Sequence, residues 1–323
     1  MSRQSLDYKL FSFIKHGIWE LFIGHNNVAN EYLVGVEEVL KQKSPIPSYL
    51  ISTIGKDEKK YILYKSSSFC DLRSINRTVN KILLKMSSFA PRVLNSIKHS
   101  PGKFQHEKIP VENEAFEIKS LKNFKFLWLL VFHISRYIYD KIINLLFIYQ
   151  WRLVYYDKND FFVKDLKKYK NIIPPKDRFF ADPFPIFYHN NLYIFFEEKR
   201  FADDNGFISV IKIDENGKNS KPKKIIEESF HLSYPFIFLH DNEYYMIPET
   251  ASNKKISLYK CENFPNKWSL FKHLMHEVIA VDTTIVFHNN YFWMFTNIAD
   301  DPGSSTWDEL FIFYSKDLFS ENW

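Results

Sequence analysis

The pattern of apolar and polar positions repeats three times in the second half of the chain. Residues 180–198, FADPFPIFYHNNLYIFFEE, form an apolar run, a polar tip and a second, aromatic run. The pattern returns at 233–250, SYPFIFLHDNEYYMIPET, and at 281–297, VDTTIVFHNNYFWMFTN. Each tip consists of residues that tolerate positive φ, which predicts a β-hairpin. Repeats of roughly 40–50 residues built from such hairpins are typical of a β-propeller, and we predict that fold.

The segments between the hairpins supply the outer strands of the repeat. GFISVIKIDENGK follows the first copy, and KISLYKCENFPNKWSLFKHL follows the second. Both are apolar runs interrupted by turn residues, which predicts further strands. After the third copy the chain stops at Trp323. Propellers usually have four or more blades that close into a ring, so we expect residues 151–323 to hold about three blades of a partial propeller. Either the N-terminal half supplies the missing strands or the natural protein continues beyond this chain, and we favour the second alternative.

The N-terminal part has mixed signals. Residues 30–43 have helical spacing, 61–66 have the composition of a strand, and 71–97 have helical spacing with a break at Pro91. We therefore predict a mixed α/β, helix-rich region over residues 1–115. The polar, Pro-containing segment 100–117 is interpreted as a linker.

Residues 124–151 are the most apolar window of the chain. Charged or ionisable residues interrupt its centre, so we do not expect it to span a membrane; these are His133, Arg136, Asp140 and Lys141. We predict a connecting amphipathic helix over 116–150. It either packs against the propeller or lies in a membrane interface, as a peripheral contact through 124–151.

Composition narrows the class of protein. An aromatic content of 18% with only 8 Gly suits stacked antiparallel sheets. The net charge of +5 is spread as single charges, which argues against a nucleic-acid partner. Cys70 and Cys261 are far apart, and no Cys/His cluster has metal-binding spacing, so no metal or other cofactor is expected. The N-terminus lacks the pattern of a signal peptide, and we expect a cytoplasmic protein, peripheral to the inner face of the membrane if the helix binds lipid.

Candidate chemistry lies at one end of the blades. The start of the first strand and the end of the second strand of a hairpin lie at the same end. Aligning the three copies places two sets of polar residues there: Asp182, Tyr234 and Asp282 on the first strands, and Glu197, Glu249 and Asn297 on the second. Several acids around an aromatic-lined opening suit glycosyl chemistry, in which one acid transfers a proton and another stabilises a cationic transition state. Neighbouring carboxylates also separate one another's pKa values.

Each of these acids has a structural alternative, which is pairing with Arg178, Lys199, Arg200 or backbone amides. Arg178 could also clamp a phosphate or orient Asp182, and His231 could bind a sugar hydroxyl or be a structural histidine. The histidines of the tips lie at the opposite end and are assigned to turns. The sequence contains no P-loop, GxGxxG, GxSxG, HExxH or DxD motif. It therefore gives no support to nucleotide hydrolysis, Rossmann redox chemistry or zincin proteolysis, and the missing DxD pair weakens the case for a common metal-dependent glycosyltransferase.

These residues carry a family resemblance. DRFFADPF, IFFEE, GFISV, SYPFIF, IPET, VDTT and LFIFYSKDLFSENW resemble the propeller-type domain at the N-terminus of plant glucosamine inositolphosphorylceramide transferase and of bacterial proteins from surface-polysaccharide loci. That domain in turn is similar to the five-bladed propellers of arabinanase-like and invertase-like glycoside hydrolases. Upstream, HGIWELFIGHNN and the segment 63–94 resemble the part that links a formyltransferase-like domain to such propellers. This resemblance implies that residues 1–115 are a remnant of a formyltransferase-like domain.

The resemblance implies three functions. The hydrolases place Asp, Asp and Glu at the starts of the first three inner strands, whereas this chain has Asp182, Tyr234 and Asp282. The departure argues against simple hydrolysis and leaves sugar transfer or carbohydrate binding open. The association of the resembled family with polysaccharide assembly implies glycosyl transfer in surface polysaccharide or glycolipid biosynthesis, with a carbohydrate or nucleotide-sugar substrate. The expected catalytic residues are Asp182, Glu249 and Asp282, and the expected substrate-binding residues are Arg178, Glu197, His231 and Tyr234. The alternatives are a glycoside hydrolase and a non-catalytic carbohydrate-binding or scaffold domain.

Overall fold

The structure, a computed structural model, describes residues 16–24, 26–27, 36–40, 45–54, 59–69, 71, 74–99, 109–110, 123–156, 165–299 and 305–323. They belong to two compact units. The first unit lies within Met1–Phe147 and Asp300–Glu309, and the second comprises Ile148–Ala299 and Leu310–Trp323. Cys70 and most of the predicted linker at 100–117 lie outside the described residues.

The second unit contains three consecutive antiparallel sheets, which we call blades 1 to 3. In each blade the strands follow one another in sequence order from the inner edge outwards. Blade 1 consists of β8 (Arg178–Tyr188), β9 (Asn191–Arg200), β10 (Phe207–Ile213) and β11 (Lys223–Ile226). Blade 2 consists of β12 (Ser233–His240), β13 (Glu243–Glu249), β14 (Lys255–Asn263) and β15 (Lys267–His276). Blade 3 consists of β16 (Ala280–His288), β17 (Tyr291–Ile298) and β18 (Leu310–Ser315).

The blades are held together by the apolar faces of their sheets. β12 lies against both β8 and β16, which places the three first strands side by side. One core joins blades 1 and 2 and is centred on Phe195, Met246 and Trp268. Another joins blades 2 and 3 through Ile247 and Met294. This face-to-face stacking of two four-stranded meanders and one three-stranded meander confirms the predicted propeller architecture of a mainly β chain.

The hairpin turns agree with the sequence pattern. Each turn has two consecutive residues with positive φ, the geometry of the tight turns that match the twist of β-hairpins. The pairs are His189 and Asn190, Asp241 and Asn242, and Asn289 and Asn290. A two-stranded ribbon precedes blade 1 and covers its other face with Leu153 and Ile172; its strands are β6 (Leu153–Tyr155) and β7 (Lys170–Ile172).

The first unit combines a sheet with helices. Its five strands are ordered β2-β1-β3-β4-β5, from β1 (Ile18–Ile23), β2 (Asn26–Asn27), β3 (Ile46–Ile54), β4 (Lys59–Ser68) and β5 (Ile109–Pro110). The helices are α1 (Val36–Leu40), α2 (Ile75–Met86), α3 (Phe89–His99) and α4 (Asn123–Leu146). The core between sheet and helices contains Ile23, Leu50, Ile82 and Phe89.

The predicted helical segment at 71–97 is two helices, and the break lies earlier than expected. α2 begins at the N-cap Ser74, whose side chain accepts a hydrogen bond from the Arg77 N–H, and it ends at Met86. Pro91 lies in the first turn of α3. A proline is tolerated there because the backbone N–H it lacks has no partner within the helix. The prediction of a break at Pro91 was therefore wrong.

α4 carries the apolar window found in the sequence. Its large apolar side chains recur at three- and four-residue spacing and are mostly exposed, including Phe124, Leu127, Trp128, Val131, Ile138, Ile142 and Leu145. Leu129 and His133 on the other side are buried. None of the helices in the described ranges combines the length and apolarity needed to cross a membrane.

Within the first unit, a partly buried ion cluster joins Asp308 and Glu309 to α2, α3 and β4. The Glu309 carboxylate accepts hydrogen bonds from Arg92 Nη1 at 2.7 Å and from Ser66 Oγ at 2.9 Å. Lys85 Nζ lies 3.4 Å from Asp308 Oδ2 and donates to the Ser67 carbonyl at 3.0 Å. Burial alone raises the pKa of Glu309, but the hydrogen bond and charge of Arg92 outweigh it, so that this pKa is lowered. The cluster thus stabilises the ionised carboxylate.

Replacing Glu309 by Gln should lower the free energy of unfolding by about 3 kcal/mol, because it removes the carboxylate charge that faces both Arg92 and Lys85, while Lys85 keeps its contact with Asp308. Chemical unfolding of the purified chain measures this. The matched control is Glu321→Gln, which removes an exposed pair with Lys272 and should cost less than about 1 kcal/mol. Equal effects of the two substitutions would contradict the role given to the cluster.

Candidate active site

The site is positioned by a β-bulge that recurs in the inner hairpin of every described blade. In blade 1, Ala181 pairs with Glu197 and Phe184 with Phe195, so that two residues of β8 oppose one residue of β9. The same shift lies between Ser233 and Phe236 in blade 2 and between Val281 and Thr284 in blade 3. The first extra residue of each bulge is the first-strand candidate of the sequence alignment: Asp182, Tyr234 and Asp282.

These three residues have left-handed backbone conformations. Their φ values are 50° at Asp182, 41° at Tyr234 and 55° at Asp282. Aspartate tolerates this region, whereas a bulky aromatic residue rarely adopts it. Tyr234 is held in place because its N–H donates to Asp182 Oδ2 at 3.3 Å and its hydroxyl lies 3.0 Å from Thr284 Oγ1. Its ring also contacts Phe184 edge to face, with centroids 5.2 Å apart.

The second-strand candidates, two glutamates and one asparagine, lie directly opposite the residue that precedes each bulge. Glu197 pairs with Ala181, Glu249 with Ser233, and Asn297 with Val281. The bulge therefore brings Asp182 to the same end of blade 1 as Glu197. Glu197 is buried, with 6% of its surface exposed. A carboxyl group with so little water around it is a poor site for a negative charge.

Burial and neighbouring acids raise the pKa values of this group. The pKa of Glu197 rises to about 8, first because of desolvation and then because of the charges of Asp182 and Glu249. The pKa of Glu249 rises to about 7 through desolvation and the charge of Asp282, against a hydrogen bond from Ser233 that lowers it. The pKa of Asp282 is also raised, by desolvation and then by Asp182. The charge of Asp182 thus acts on all three other acids.

His231 adjoins Glu197 and has a defined tautomer. The Gly206 N–H donates to His231 Nδ1 at 2.8 Å, so Nδ1 is the acceptor and Nε2 carries the proton in the neutral ring. His231 Nε2 lies 3.5 Å from Glu197 Oε1. Burial, and then the charge of Lys199, lowers the pKa of His231, which favours the neutral ring.

Gly206 permits this close approach. A Cβ at this position would lie 2.9 Å from Glu197 Oε1, from His231 Cε1 and from the Leu232 carbonyl oxygen. Any other residue would therefore have to displace the corner that holds the histidine. In the sequence Gly206 appears only as the first residue of GFISV. Its role cannot be identified without knowing which segments of the folded chain lie beside it.

Arg178 lies on the opposite face of the sheet from this group. Its guanidinium forms a two-pronged contact with Asp177, at 2.9 Å for each pair, and an ion pair with Glu198 Oε1 at 2.5 Å. Glu198 also accepts from Ser209 Oγ at 2.7 Å. Because side chains alternate along a strand, Glu198 points away from Glu197. The structure thus brings together six of the seven sequence candidates, which are Asp182, Glu197, His231, Tyr234, Glu249 and Asp282.

The group is composed of acids, one imidazole and aromatic rings. Within the described ranges, no three His, Cys, Asp or Glu residues are arranged to hold a metal ion. What the arrangement offers chemically is proton transfer: two carboxyl groups whose pKa values are raised to about 7 and about 8 lie close to further acidic side chains.

Comparison with known proteins places the second unit in a family context. Residues 170–323 match the family model described as "Glucosamine inositolphosphorylceramide transferase 1, N-terminal". The chain is 36% identical over 138 residues to glucosamine inositolphosphorylceramide transferase 1 of Arabidopsis thaliana and 35% identical to that of Oryza sativa subsp. japonica. The resemblance recognised in the sequence is thereby confirmed for residues 170–323. Each match covers 42% of this chain and only 18% of the relative.

Solved structures show weaker similarity. An exo-β-1,3-galactanase from Clostridium thermocellum covers 49% of this chain and 40% of its own, with 13% identity and a TM-score of 0.36. A GH32 β-fructofuranosidase from Bombyx mori covers 46% of this chain and 37% of its own, with 12% identity and a TM-score of 0.37. Both similarities are too low to bear on activity.

Glu197→Gln should make stability less dependent on pH. The folded pKa of about 8 exceeds the ordinary value of 4.5, so the folded protein binds a proton that the unfolded chain has released between these values. Wild-type stability therefore falls as pH rises from about 4.5 to about 8. Gln lacks this term, and the variant should gain several kcal/mol relative to wild type between about pH 5 and about pH 9, at about 1.4 kcal/mol per unit of pKa shift.

Urea unfolding at both pH values tests this, with Glu215→Gln as the control because Glu215 is an exposed glutamate in the turn after β10. A Glu197 variant whose stability follows the same pH curve as wild type would show that this carboxyl is not the buried acid described above.

Proposed function

We propose that the rim of the second unit transfers a glycosyl group in the assembly of a surface polysaccharide or glycolipid. The observation that supports this most is the buried Glu197 beside Asp182 and Glu249 at one end of blades 1 and 2. Glycosyl chemistry needs an acid that keeps its proton at neutral pH and a second group that stays a carboxylate. The relatives named as transferases favour an acceptor hydroxyl over water.

In this proposal Glu197 is the proton donor. It gives its proton to the leaving-group oxygen as the bond between that oxygen and the anomeric carbon breaks. Asp182 takes the proton of the acceptor hydroxyl as the new bond forms, so one proton is given and one is received in each cycle. Glu249 and Asp282 then hold negative charge near the positively charged sugar of the transition state.

The remaining residues position the sugar and the acid. Tyr234 presents an aromatic ring at the mouth, in the place that is occupied by aspartate in blades 1 and 3, and rings of this kind hold sugar faces. His231, fixed by Gly206, donates toward Glu197 and holds it in one orientation. Arg178 binds substrate only if its ion pairs with Asp177 and Glu198 open, and we therefore give it no part in this mechanism.

Asp182→Asn should reduce glycosyl transfer by about 10²- to 10⁴-fold, because the amide cannot accept the acceptor's proton. Purified chain is assayed with nucleotide sugars and oligosaccharide acceptors. Asp241→Asn at the opposite end of the blade is the control and should leave transfer unchanged. Asp182→Asn and Glu197→Gln should both remain folded.

The alternatives give different results in the same assay. Release of free sugar from an oligosaccharide without an activated donor identifies a glycoside hydrolase. Ligand binding that survives in Asp182→Asn, with no product in either protein, identifies a carbohydrate-binding domain. Transfer that is unaffected by Asp182→Asn would overturn the proposed role of the rim.

We also propose that α4 lies in the interface of a membrane, on the cytoplasmic side, and holds the protein at the surface where a lipid-linked acceptor would be found. Its exposed apolar residues include Trp128, Tyr139 and many aliphatic side chains, and aromatic rings with aliphatic neighbours suit the boundary between headgroups and acyl chains. Exposed Arg136 and Lys141 would face anionic headgroups.

Leu127→Asp should weaken binding to vesicles of phosphatidylcholine and phosphatidylglycerol by about tenfold or more, because it places a charge on the face that enters the lipid. Co-sedimentation measures this. Leu239→Asp in β12 is a matched control, since Leu127 and Leu239 are both 57% exposed. Equal loss in both variants, or no binding by wild type, would contradict the proposal.

A further inference from the structure

A group of basic residues lies at the same end of blade 2 as Glu249. β13 ends at Glu249, and a single 3-10 turn, Ala251–Asn253, leads into β14 at Lys255. Lys254, with φ 53°, closes this turn. On the neighbouring strand, His276 pairs with Lys255, and His273 pairs with Ser257 across a bulge. The two histidines therefore lie beside Lys255 at the rim end of the outer strands.

Hydrogen-bond geometry defines the protons of this group. Lys255 Nζ lies 3.5 Å from His273 Nε2, and Ser257 Oγ lies 3.1 Å from His273 Nδ1. An ammonium group only donates, so Nε2 accepts and the proton of the neutral ring is on Nδ1, facing Ser257. Burial, followed by the charges of Lys255 and His276, lowers the pKa of His273 and favours this neutral ring.

The base of the group is rigid, whereas its upper side is open. Ser257 and Thr250 are each 1% exposed. Thr250 Oγ1 donates to the Lys255 carbonyl at 2.5 Å and lies 3.4 Å from Ser257 Oγ. Lys255 and His273 are half-buried and His276 is exposed. Two buried hydroxyl groups thus hold the backbone of Lys255 and the ring of His273 in place, so these side chains form a preformed cluster rather than a set of freely moving surface chains.

Little negative charge balances these residues. The rings of His273 and His276 are 5.3 Å apart at 81°. In the described part of the chain, no carboxylate lies within 4.0 Å of Lys255 Nζ or of either ring. The one acid whose charge acts on His273 is Glu321, and it is paired with Lys272 at 3.2 Å. One ammonium group and two imidazole rings thus lie together with no carboxylate beside them, an arrangement that an anion would stabilise.

We propose that Lys255, His273 and His276 form a binding site for a phosphate group. The phosphate oxygens take the place of His273 Nε2 as the acceptor for Lys255, which frees Nε2 to bind a proton. The protonated ring then donates from Nε2 to phosphate while Nδ1 keeps its bond to Ser257. Binding is therefore coupled to uptake of a proton by His273, and His276 contributes a second donor at the open side.

The position of the site suggests the class of ligand. The three side chains are accessible and lie on the outer strands at the end of the blade that holds the acids, so they suit the terminal phosphate or diphosphate of a larger molecule whose other end reaches the rim. That this molecule is the sugar substrate rests on the proposed function. The phosphate site itself does not, because it is carried by residues that have no part in proton transfer at the rim.

The test is a histidine NMR titration of the full chain with pyrophosphate as the probe. His273→Gln and His276→Gln assign the two ring signals. Pyrophosphate should raise the pKa of His273 in the wild type and shift the His276 signal. Lys255→Met should weaken pyrophosphate binding by about tenfold, the loss expected for one charged hydrogen bond. Lys267→Met, at the far end of the same hairpin and paired with Glu262, should bind as wild type does.

The proposal is overturned if pyrophosphate leaves both histidine signals unchanged, or if the two lysine variants weaken binding equally, as general charge attraction would. Asp182→Asn separates this inference from the proposed function. It should bind pyrophosphate like wild type even though it has lost transfer. If the wild-type chain binds pyrophosphate through Lys255 but transfers no sugar, the phosphate site stands and the proposed glycosyl transfer is contradicted.

Discussion

One extra residue at the same place in each inner hairpin determines where the polar side chains of the site lie. Without the bulge, a strand that pairs Ala181 with Glu197 would continue in simple alternation, and position 182 would point to the opposite side from position 181 with ordinary pleating. The left-handed residue turns the backbone instead and brings Asp182 within reach of the Tyr234 N–H of the next blade. The stacked apolar faces hold the blades close enough for this contact, so packing and site geometry depend on one another.

The same packing sets the electrostatics. Burying Glu197 between blades 1 and 2 removes the water that would solvate its charge, and Asp182 and Glu249 add to that cost. The acid therefore keeps its proton, and the folded state is destabilised whenever the proton is lost. A core built only for stability would replace such a group by an apolar residue or pair it with a cation. Here the neighbour is a neutral imidazole, which orients the carboxyl group without ionising it.

The repeat, and the end of the blades at which the acids lie, are predictable from the sequence because period-2 patterning and turn residues are local signals. The left-handed backbone at Asp182, Tyr234 and Asp282 is not predictable in this way, since neither aspartate nor tyrosine requires positive φ and only pairing across the hairpin reveals the bulge. The contact between Gly206 and His231 links positions 25 residues apart and likewise has no local signature. Pro91 misled for the opposite reason: the residue alone cannot distinguish a helix break from a first turn.

Glu197 and Glu198 show how the fold gives adjacent identical residues different properties. Both are buried, at 6% and 4% exposure. Glu198 faces Arg178 and Ser209, which supply a full charge and a hydroxyl donor, so it is a paired structural ion. Glu197, on the other face, meets two carboxylates and one neutral ring. Burial is the same for both, and the difference lies in what the neighbouring strands present. A structural acid is expected to be paired with a cation when it is buried. Glu197 faces carboxylates and a neutral ring instead, so its presence calls for a chemical explanation.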